Sequence, residues 1–359
     1  MPQADNESRM LAEIREQPSA LERTLRGSQG VARELRAVVS RKPPCMIVLA
    51  ARGTSDNAAQ FGRYLIEITT GIPVSLAAPS VSTLYGAKLR LDHALVVGIS
   101  QSGESTDINM FLESAREQGA LTVGITNEGA SSLAHLAQHN FVLAAGRETS
   151  VPATKTYTGQ LLTMYLLAHA LGGATDLEDL ERLPEWTQLA LDLEPQVAGL
   201  AAEYASIERA IIAARGLNYS NALEYGLKLM ETCYVVAERF SGADLMHGPI
   251  ALAEEAFPVF LFAPGGPTWP GMEELLESLR GLNARTLVIT DRSNAAAAGM
   301  ARNAIVIPAS LAAPRTLCGD FLTPIPYIVP AQLFTAHLAA AKGLDPDHPR
   351  TLSKVTKTV

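Results

Sequence analysis

Short apolar runs alternate along the chain with longer stretches in which apolar residues recur at helical spacing. In the first half, these runs predict buried β-strands over residues 46–51, 74–78, 95–99, 121–126 and 141–145. The intervening stretches, such as 57–69 and 105–118, predict amphipathic helices. Strands that alternate with helices are typical of βαβ units. This half therefore predicts a doubly wound α/β domain whose parallel sheet is covered on both faces.

The second half repeats this pattern. Its predicted strands are 209–214, 258–263, 286–290 and 304–308. Two pairs of segments also have similar sequences: 52–58 resembles 215–222, which has one extra residue, and 121–127 resembles 285–291. The members of both pairs are separated by nearly the same offset along the chain, so we infer a duplication.

The duplication divides the chain into five predicted parts. They are an N-terminal helical segment (1–35), a first domain (36–172), a helical connector (173–204), a second domain (205–343) and a C-terminal tail (344–359). We expect each domain to be a flavodoxin-like three-layer sandwich.

The composition narrows the class of protein. Of 359 residues, 47% are hydrophobic and 18% are charged, which is enough apolar material for sizeable cores. The net charge of −8 argues against a nucleic-acid partner. The polar N-terminus does not resemble a signal peptide. The most apolar stretches, 161–170 and 328–341, are interrupted by His169, Gln332 and His337, so no membrane span is expected.

The three cysteines, Cys45, Cys233 and Cys318, have no motif spacing. They suit a reducing compartment and predict no disulfide framework, which favours a cytoplasmic location. We expect neither a metal cluster nor an organic cofactor.

The most informative segment is 100–106, Ser-Gln-Ser-Gly-Glu-Ser-Thr, which follows a predicted buried strand and opens a predicted helix. Such a turn aims backbone N–H groups and the positive helix end at one point, which suits a phosphate. It lacks the lysine of a nucleotide-binding P-loop. The same residues also fit an ordinary N-cap. The turn after the first strand, with Thr54 and Ser55, has the same two interpretations, but two hydroxyl-bearing strand ends in one domain favour an anion pocket.

The second half does not repeat this chemistry. Where the serine segment would recur, residues 264–268 read Pro-Gly-Gly-Pro-Thr, and prolines remove hydrogen-bond donors. We therefore expect only the first half to hold a phosphate, while the second half supplies different groups.

The second half instead carries Glu224, Lys228 and Glu231, which share one face of a predicted helix. A solvated ion-pair face is the ordinary interpretation. The apolar neighbours indicate partial burial, where a carboxylate can act as a general base.

Three further side chains are candidates for chemistry or charge balance. His247 lies beside Gly and Pro and can move a proton near neutral pH, although a lone histidine is more often structural. Lys155 opens an apolar helix, where a cation opposes the helix dipole, so we expect an anionic partner. Lys354 lies in the tail and can form a Schiff base only if the tail folds over a site.

In these segments the chain resembles the sugar isomerase (SIS) family, in particular the tandem-SIS isomerase half of glucosamine-6-phosphate synthases and its stand-alone relatives. The matching segments, in order, are Met-x-x-Glu-Ile-x-Glu-Gln-Pro (10–18), Arg-Gly-Thr-Ser (52–55), Ser-Gln-Ser-Gly-Glu-Ser (100–105), Val-x-Ala-Thr-Lys (151–155), Ala-Leu-Glu-x-Gly-x-Lys-Leu-x-Glu (222–231), His-Gly-Pro (247–249) and Pro-Arg-x-Leu-Ser-Lys-Val (349–355).

The resemblance implies a role for each candidate residue. It implies that the phosphate of a hexose 6-phosphate is held by Ser55, Ser100, Gln101, Ser102 and Ser105. It implies that the sugar is lined by Arg52, Gly53, Thr54, Val151 and Ala153. It implies that Glu231 moves the proton between C1 and C2, with Lys228 assisting. It also implies that His247 opens the ring, in a homodimer where it comes from the neighbouring subunit, and that Lys354 forms a Schiff base with the C2 carbonyl.

The chain also departs from the synthases. The isomerase pattern begins by residue 10 with no cysteine before Cys45, so we expect no glutamine hydrolysis. Arg52 and Ala153 stand where the synthases usually have cysteine and serine. The segment Arg-Gly-Thr-Ser-Asp-Asn (52–57) looks more like that of stand-alone deaminases and other phosphosugar enzymes. The resemblance therefore favours a glucosamine-6-phosphate deaminase, or the ammonia-dependent reverse reaction. The alternatives are an enzyme for another amino, keto or fructosamine 6-phosphate, and a non-catalytic sugar-phosphate sensor.

Overall fold

The structure is a computed structural model that describes residues 8–311 and 319–354. Cys318 and the predicted tail residues Val355, Thr356 and Lys357 lie outside the described residues. Within them the strands are β1 (Met46–Ala50), β2 (Val74–Leu76), β3 (Ala94–Ile99), β4 (Leu121–Thr126), β5 (His139–Val142), β6 (Arg209–Ala214), β7 (Val236–Ser241), β8 (Pro258–Phe262), β9 (Arg285–Asp291) and β10 (Asn303–Ile307).

The α-helices, in chain order, are α1 (Arg9–Arg15), α2 (Gln17–Val39), α3 (Thr54–Thr70), α4 (Ser80–Thr83), α5 (Thr106–Glu117), α6 (Ser132–Leu136), α7 (Lys155–Ala170), α8 (Leu177–Leu180), α9 (Leu183–Leu191), α10 (Glu194–Glu203), α11 (Tyr219–Cys233), α12 (Gly242–Met246), α13 (Trp269–Gly281), α14 (Ala295–Met300) and α15 (Pro324–Ala341). Short 3-10 turns cover Gly216–Asn218, Pro249–Leu252 and Arg292–Asn294. The predicted connector is helical and contains α8, α9 and α10. No helix in the described ranges is long and apolar enough to cross a membrane.

The chain forms two compact units. The first-sheet unit comprises residues 19–148, 155–181 and 353–354, and the second-sheet unit comprises 8–18, 149–154, 182–311 and 319–352. The short segment 149–154 and the end of the tail thus each belong to a different unit from the residues that precede them.

The first-sheet unit contains a parallel sheet in the order β2-β1-β3-β4-β5. All five predicted strands are present. The central strand β3 is buried along its whole length, which explains its uninterrupted apolar sequence. On one face of the sheet, Val48 and Val96 pack with Phe111 and Leu112 of α5 in a buried apolar cluster. This packing fixes the start of α5 at the carboxyl end of β3.

The second-sheet unit contains a parallel sheet in the order β10-β9-β8-β6-β7. The four predicted strands are present, and the sequence prediction missed β7. This strand lies at the edge of the sheet and is partly exposed, and it contains Glu238 and Arg239, so it has no apolar run.

The two sheets have the same strand order, which confirms the duplication. Their first strands begin at Met46 and Arg209, and β4 and β9 begin at Leu121 and Arg285, so both pairs of strands show nearly the same offset. The first strand in each unit is followed by a glycine with positive φ, Gly53 at 57° and Gly216 at 61°. Even the turn that starts the first crossover helix is therefore repeated.

Candidate functional site

The serine segment lies at the carboxyl end of β3 and leads into α5, as the sequence predicts. Gly103 has φ of 69°, and a Cβ at this position would collide with the side chain of Ser131. Its N–H donates to the Ser100 hydroxyl at 3.1 Å, and the Ser100 and Ser105 hydroxyls are 3.0 Å apart. The segment is therefore a tight turn that folds its hydroxyl groups against each other, and it depends on a glycine.

Ser105 bears on the N-cap interpretation of this segment. It is the N-cap residue of α5, yet its side chain makes no capping hydrogen bond. Among the described residues, the backbone N–H groups of Gln101 and Ser102 also have no partner, and both residues are partly exposed. Free N–H groups, hydroxyls and a helix N-terminus together can bind an anion.

The turn after β1 lies beside the serine segment, because β1 and β3 are neighbours and Ala50 pairs with Gly98. Arg52 bridges the two turns through an ion pair of 2.8 Å with the buried Asp107 of α5. The Ser55 hydroxyl is buried and accepts a hydrogen bond from Gln160 at 2.9 Å. Thr54, the first residue of α3, is half-buried. The predicted grouping of two polar strand ends is confirmed, while their role in binding stays a prediction.

Helix α11 of the second-sheet unit carries the predicted charge cluster. Lys228 Nζ lies 3.3 Å from Glu224 Oε1 and 2.6 Å from Glu231 Oε2. The Lys228 and Glu224 side chains are buried, whereas 23% of the Glu231 side chain is exposed. Burial alone would lower the pKa of Lys228, but Glu224 and Glu231 outweigh it and raise that pKa above its ordinary value. This face of α11 is therefore not a solvated ion-pair face. The buried Lys228 ammonium holds the partly exposed Glu231 carboxylate in place.

Glu231 opens onto a cavity of about 520 Å³ whose other lining residues are Met230, Tyr234, Arg350, Thr351 and Leu352. Tyr234 ends α11 in the left-handed conformation, with φ of 54°. The Arg350 guanidinium stacks 3.8 Å from the centre of the Tyr234 ring, and the Arg350 N–H donates to the Tyr234 hydroxyl at 2.8 Å. The tail is thus attached to the helix that bears Glu231, an arrangement that the sequence did not indicate.

His247 lies at the end of the short helix α12, and its residue is exposed. The adjacent Gly248 has φ of 137°, which only glycine adopts readily. His247 is therefore accessible to solvent.

The segment that contains Val151 and Ala153 is held by two carboxyl-bearing residues of the same unit. The buried Glu13 carboxylate accepts hydrogen bonds from the backbone and side chain of Thr149 and Ser150. The Val151 N–H donates to the Asp347 carbonyl at 3.3 Å. The Val151 and Ala153 side chains are half-buried, and the roles of Glu13 and Asp347 were not foreseen from the sequence.

Lys354 belongs to the first-sheet unit, where its Nζ lies 2.9 Å from Glu148 Oε2. The Glu148 side chain is completely buried and 23% of the Lys354 side chain is exposed. Lys155 is almost wholly buried at the start of α7 and donates to the Arg147 carbonyl at 2.7 Å. Sequence reasoning did not single out Glu148, although its carboxylate shortly before a helix-opening motif was a usable signal.

Neither residues 8–311 nor residues 319–354 contain a group of three or more His, Cys, Asp or Glu side chains arranged to hold a metal ion. The candidate groups described above are hydroxyls, N–H groups, three carboxylate–lysine contacts and the His247 imidazole.

Two segments of the chain, 43–170 and 203–342, match the model of the SIS domain family. Over 96% of its length, the chain is 35% identical to the isomerizing glutamine–fructose-6-phosphate aminotransferase of Methanothermobacter thermautotrophicus and 34% identical to that of Gloeobacter violaceus. It covers 56% and 58% of those proteins, so it spans little more than half the length of the curated relatives it matches.

One solved structure is similar to this chain over nearly the whole length of both. The C-terminal domain of glucosamine–fructose-6-phosphate aminotransferase from Francisella tularensis superposes with a TM-score of 0.85 and 27% identity. The match covers 96% of this chain and 99% of that one.

Proposed function

Because the chain belongs to the SIS domain family, we propose that it is a phosphosugar isomerase whose substrate is a hexose 6-phosphate. The observation that carries the proposal is the serine segment, whose N-cap residue Ser105 leaves its helix uncapped and faces the Ser100 hydroxyl instead. A structural N-cap would use that hydroxyl on α5. In this proposal the phosphate is held by Ser55, Ser100, Gln101, Ser102 and Ser105.

The proposed chemistry is proton transfer between two carbons of the open sugar. Glu231 takes the proton from one carbon and returns it to the next, and Lys228 orients the carboxylate through their 2.6 Å contact. His247 transfers the proton that opens the ring. Lys354 forms a Schiff base at C2, which makes the neighbouring C–H bond more acidic. Arg52, Gly53, Thr54, Val151 and Ala153 contact the sugar and select it.

The finer proposal is that glucosamine 6-phosphate and water give fructose 6-phosphate and ammonia. Atoms balance because the amino group leaves as ammonia while the oxygen of water becomes the ketone oxygen. The reverse, ammonia-dependent direction uses the same residues. We further propose a homodimer, in which the exposed His247 acts on the partner subunit's substrate.

One assay tests the function. The purified protein is incubated with glucosamine 6-phosphate, and ammonia and fructose 6-phosphate are measured together. We expect equal amounts of both products. Turnover of a fructosamine, galactosamine or tagatose 6-phosphate in place of glucosamine 6-phosphate would replace the proposed substrate. Tight binding without any turnover would indicate a sensor.

A second assay tests the base. Glu231→Gln should stop exchange of the C1/C2 proton with deuterated solvent, because the amide cannot accept that proton. It should leave the affinity for the phosphate unchanged. Exchange that continues in this variant would remove Glu231 from the mechanism.

A third experiment tests the homodimer. Analytical sedimentation measures the mass of the protein with and without sugar phosphate, and we expect the mass of two chains.

A further inference from the structure

Lys354 lies against a carboxylate that no motif of the chain pointed to. Glu148 Oε2 is 2.9 Å from Lys354 Nζ, and the Glu148 side chain is inaccessible to solvent while that of Lys354 is partly open. A buried carboxylate beside a partly exposed amine can exchange a proton with it without involving bulk water.

The Glu148 carboxylate is also rigidly placed. Its Oε1 accepts the Thr156 backbone N–H at 3.2 Å, and its Oε2 accepts the Thr156 hydroxyl at 2.7 Å. Thr156 lies in the first turn of α7, where the helix dipole stabilises a negative charge. The oxygen that faces Lys354 is therefore held in position before any substrate arrives.

We propose that Glu148 is a catalytic residue that moves protons to and from Lys354 Nζ while this nitrogen forms its Schiff base. The inference rests on the proposed function, because Lys354 reacts only in that scheme.

The proton balance closes with these two side chains and the substrate. The Lys354 ammonium gives one proton to the Glu148 carboxylate, and the free amine attacks the C2 carbonyl to form a carbinolamine. Glu148 then returns its proton to the carbinolamine oxygen, which also receives the second proton released by nitrogen through the same carboxylate. The C–O bond breaks, water leaves, and the nitrogen retains one proton as an iminium ion beside an ionised Glu148.

If Glu148 only formed a structural ion pair with Lys354, removing it would change the rate of Schiff-base formation in the opposite direction. A carboxylate that only holds Lys354 stabilises the ammonium form, which cannot attack a carbonyl. Removing such a carboxylate would increase the fraction of free amine and accelerate Schiff-base formation. The direction of the change therefore distinguishes a proton carrier from a clamp.

The experiment measures trapping of the Schiff base in the full chain. Protein is incubated with fructose 6-phosphate and cyanoborohydride between pH 6.5 and 9, and the adduct on Lys354 is quantified by mass spectrometry over time. Lys354→Arg shows that the adduct is on this residue. We expect Glu148→Gln to slow trapping roughly 100-fold at pH 7. Its rate should then rise about tenfold per pH unit, because the lysine must lose its proton to solvent. Trapping in the unaltered protein should depend only weakly on pH.

Two further variants separate charge from packing. Thr156→Val removes one side-chain donor to Glu148 Oε2 but keeps the carboxylate, so trapping should change only a few-fold. Glu148→Asp keeps a carboxylate and should retain the weak pH dependence, even if Glu148→Gln proves unstable. Trapping by Glu148→Gln as fast as in the unaltered protein, or a steep pH dependence in Glu148→Asp, overturns this inference alone. No adduct on Lys354 in the unaltered protein overturns its proposed Schiff base and this inference together.

Discussion

The turns after β3 and β8 occupy corresponding places in the two sheets, yet they differ in chemistry. Each turn begins with the same backbone hydrogen bond, from Ser100 N to Ile125 O and from Ala263 N to Ile289 O, both 3.0 Å long. Each ends with an N-cap residue, Ser105 or Thr268, whose side chain does not cap its helix. Ser105 contacts a hydroxyl, whereas Thr268 donates to the buried carboxylate of Asp320 at 3.2 Å. A carboxylate repels an anion where the first sheet can attract one.

The crossover helices that follow β1 and β6 differ in the same way. Aligned on the Asn-Ala pair that both helices share after the one-residue insertion (57–58 and 221–222), α3 has Gln60, Tyr64 and Glu67 where α11 has Glu224, Lys228 and Glu231. The two units therefore share a backbone framework, while one carries the hydroxyl groups of the serine segment and the other carries an ionic cluster.

The largest effect should come from removing the cation of α11. Lys228→Met leaves Glu224 charged, buried and without its lysine, which should lower the free energy of unfolding by about 3–5 kcal/mol. Tyr64→Phe at the corresponding position of α3 should change it by less than about 0.5 kcal/mol. Urea unfolding measures both. Equal losses would show that the two helices do not differ in the way described.

The next effect concerns the two uncapped helix starts. Ser105→Ala should weaken binding of fructose 6-phosphate by about 1.5–3 kcal/mol, because a hydrogen bond to a charged phosphate is lost. Thr268→Ala should leave the affinity within about twofold, since that hydroxyl serves Asp320. Titration calorimetry measures both affinities. A comparable loss of affinity in Thr268→Ala would show that the phosphate is not bound by the first sheet alone.

Alanine at the two repeated glycines should destabilise the units unequally. Gly53 has φ of 57° and open space where a Cβ would be added, so Gly53→Ala should cost only backbone strain, about 1–3 kcal/mol. In Gly216→Ala the added methyl would lie 2.8 Å from Thr268 Cγ2, so the loss should be larger. Thermal unfolding measures both, and Thr268→Ser should remove the excess in the double variant. Equal losses in the two single variants would contradict the difference in packing.

The smallest effect is a dependence of stability on alkaline pH. Because the folded-state pKa of Lys228 is raised, its contribution is complete below the unfolded-state value of about 10.4 and is lost as pH rises toward the folded-state value. From pH 10 to 11.5 the unaltered protein should lose up to about 1 kcal/mol per pH unit more than Lys228→Met. Burial raises the pKa of Cys233 to about 11, but this thiol is present in both proteins and its effect cancels. Parallel slopes would show that Lys228 does not gain its charge stabilisation on folding.

Apolar periodicity predicted nine of the ten described strands, because a buried parallel strand needs a continuous apolar run. It missed β7, whose edge position permits an exposed Glu238 and a partly buried Arg239 that packs against Gly226 of α11. The duplication itself held the missing signal, since the offset that relates the other strands of the two sheets also requires a counterpart of β2 in the second half.

The candidate site could be predicted from the sequence only where its polar or charged residues lie close together along the chain. The serine segment and the Glu224–Lys228–Glu231 face are local patterns, and the structure brings each together as expected. Glu148, Glu13 and Asp347 were missed because their partners lie far along the chain or on a different element. Their carboxylates looked like ordinary surface charges in the sequence, and only folding shows that they are buried or hydrogen-bonded.

The hydrogen bonds of Asp347 limit how early the helix α1 can reach its final contacts while the chain is being synthesised. The Asp347 carboxylate accepts the N–H groups of Arg9 and Met10 at 2.7 and 2.8 Å, which are exposed donors at the start of α1 until this partner exists. A ribosome must therefore add every residue up to position 347 before these two N–H groups obtain this partner. The first-sheet strands can pair long before that moment, so α1 is expected to dock last, as a late and separately reversible step.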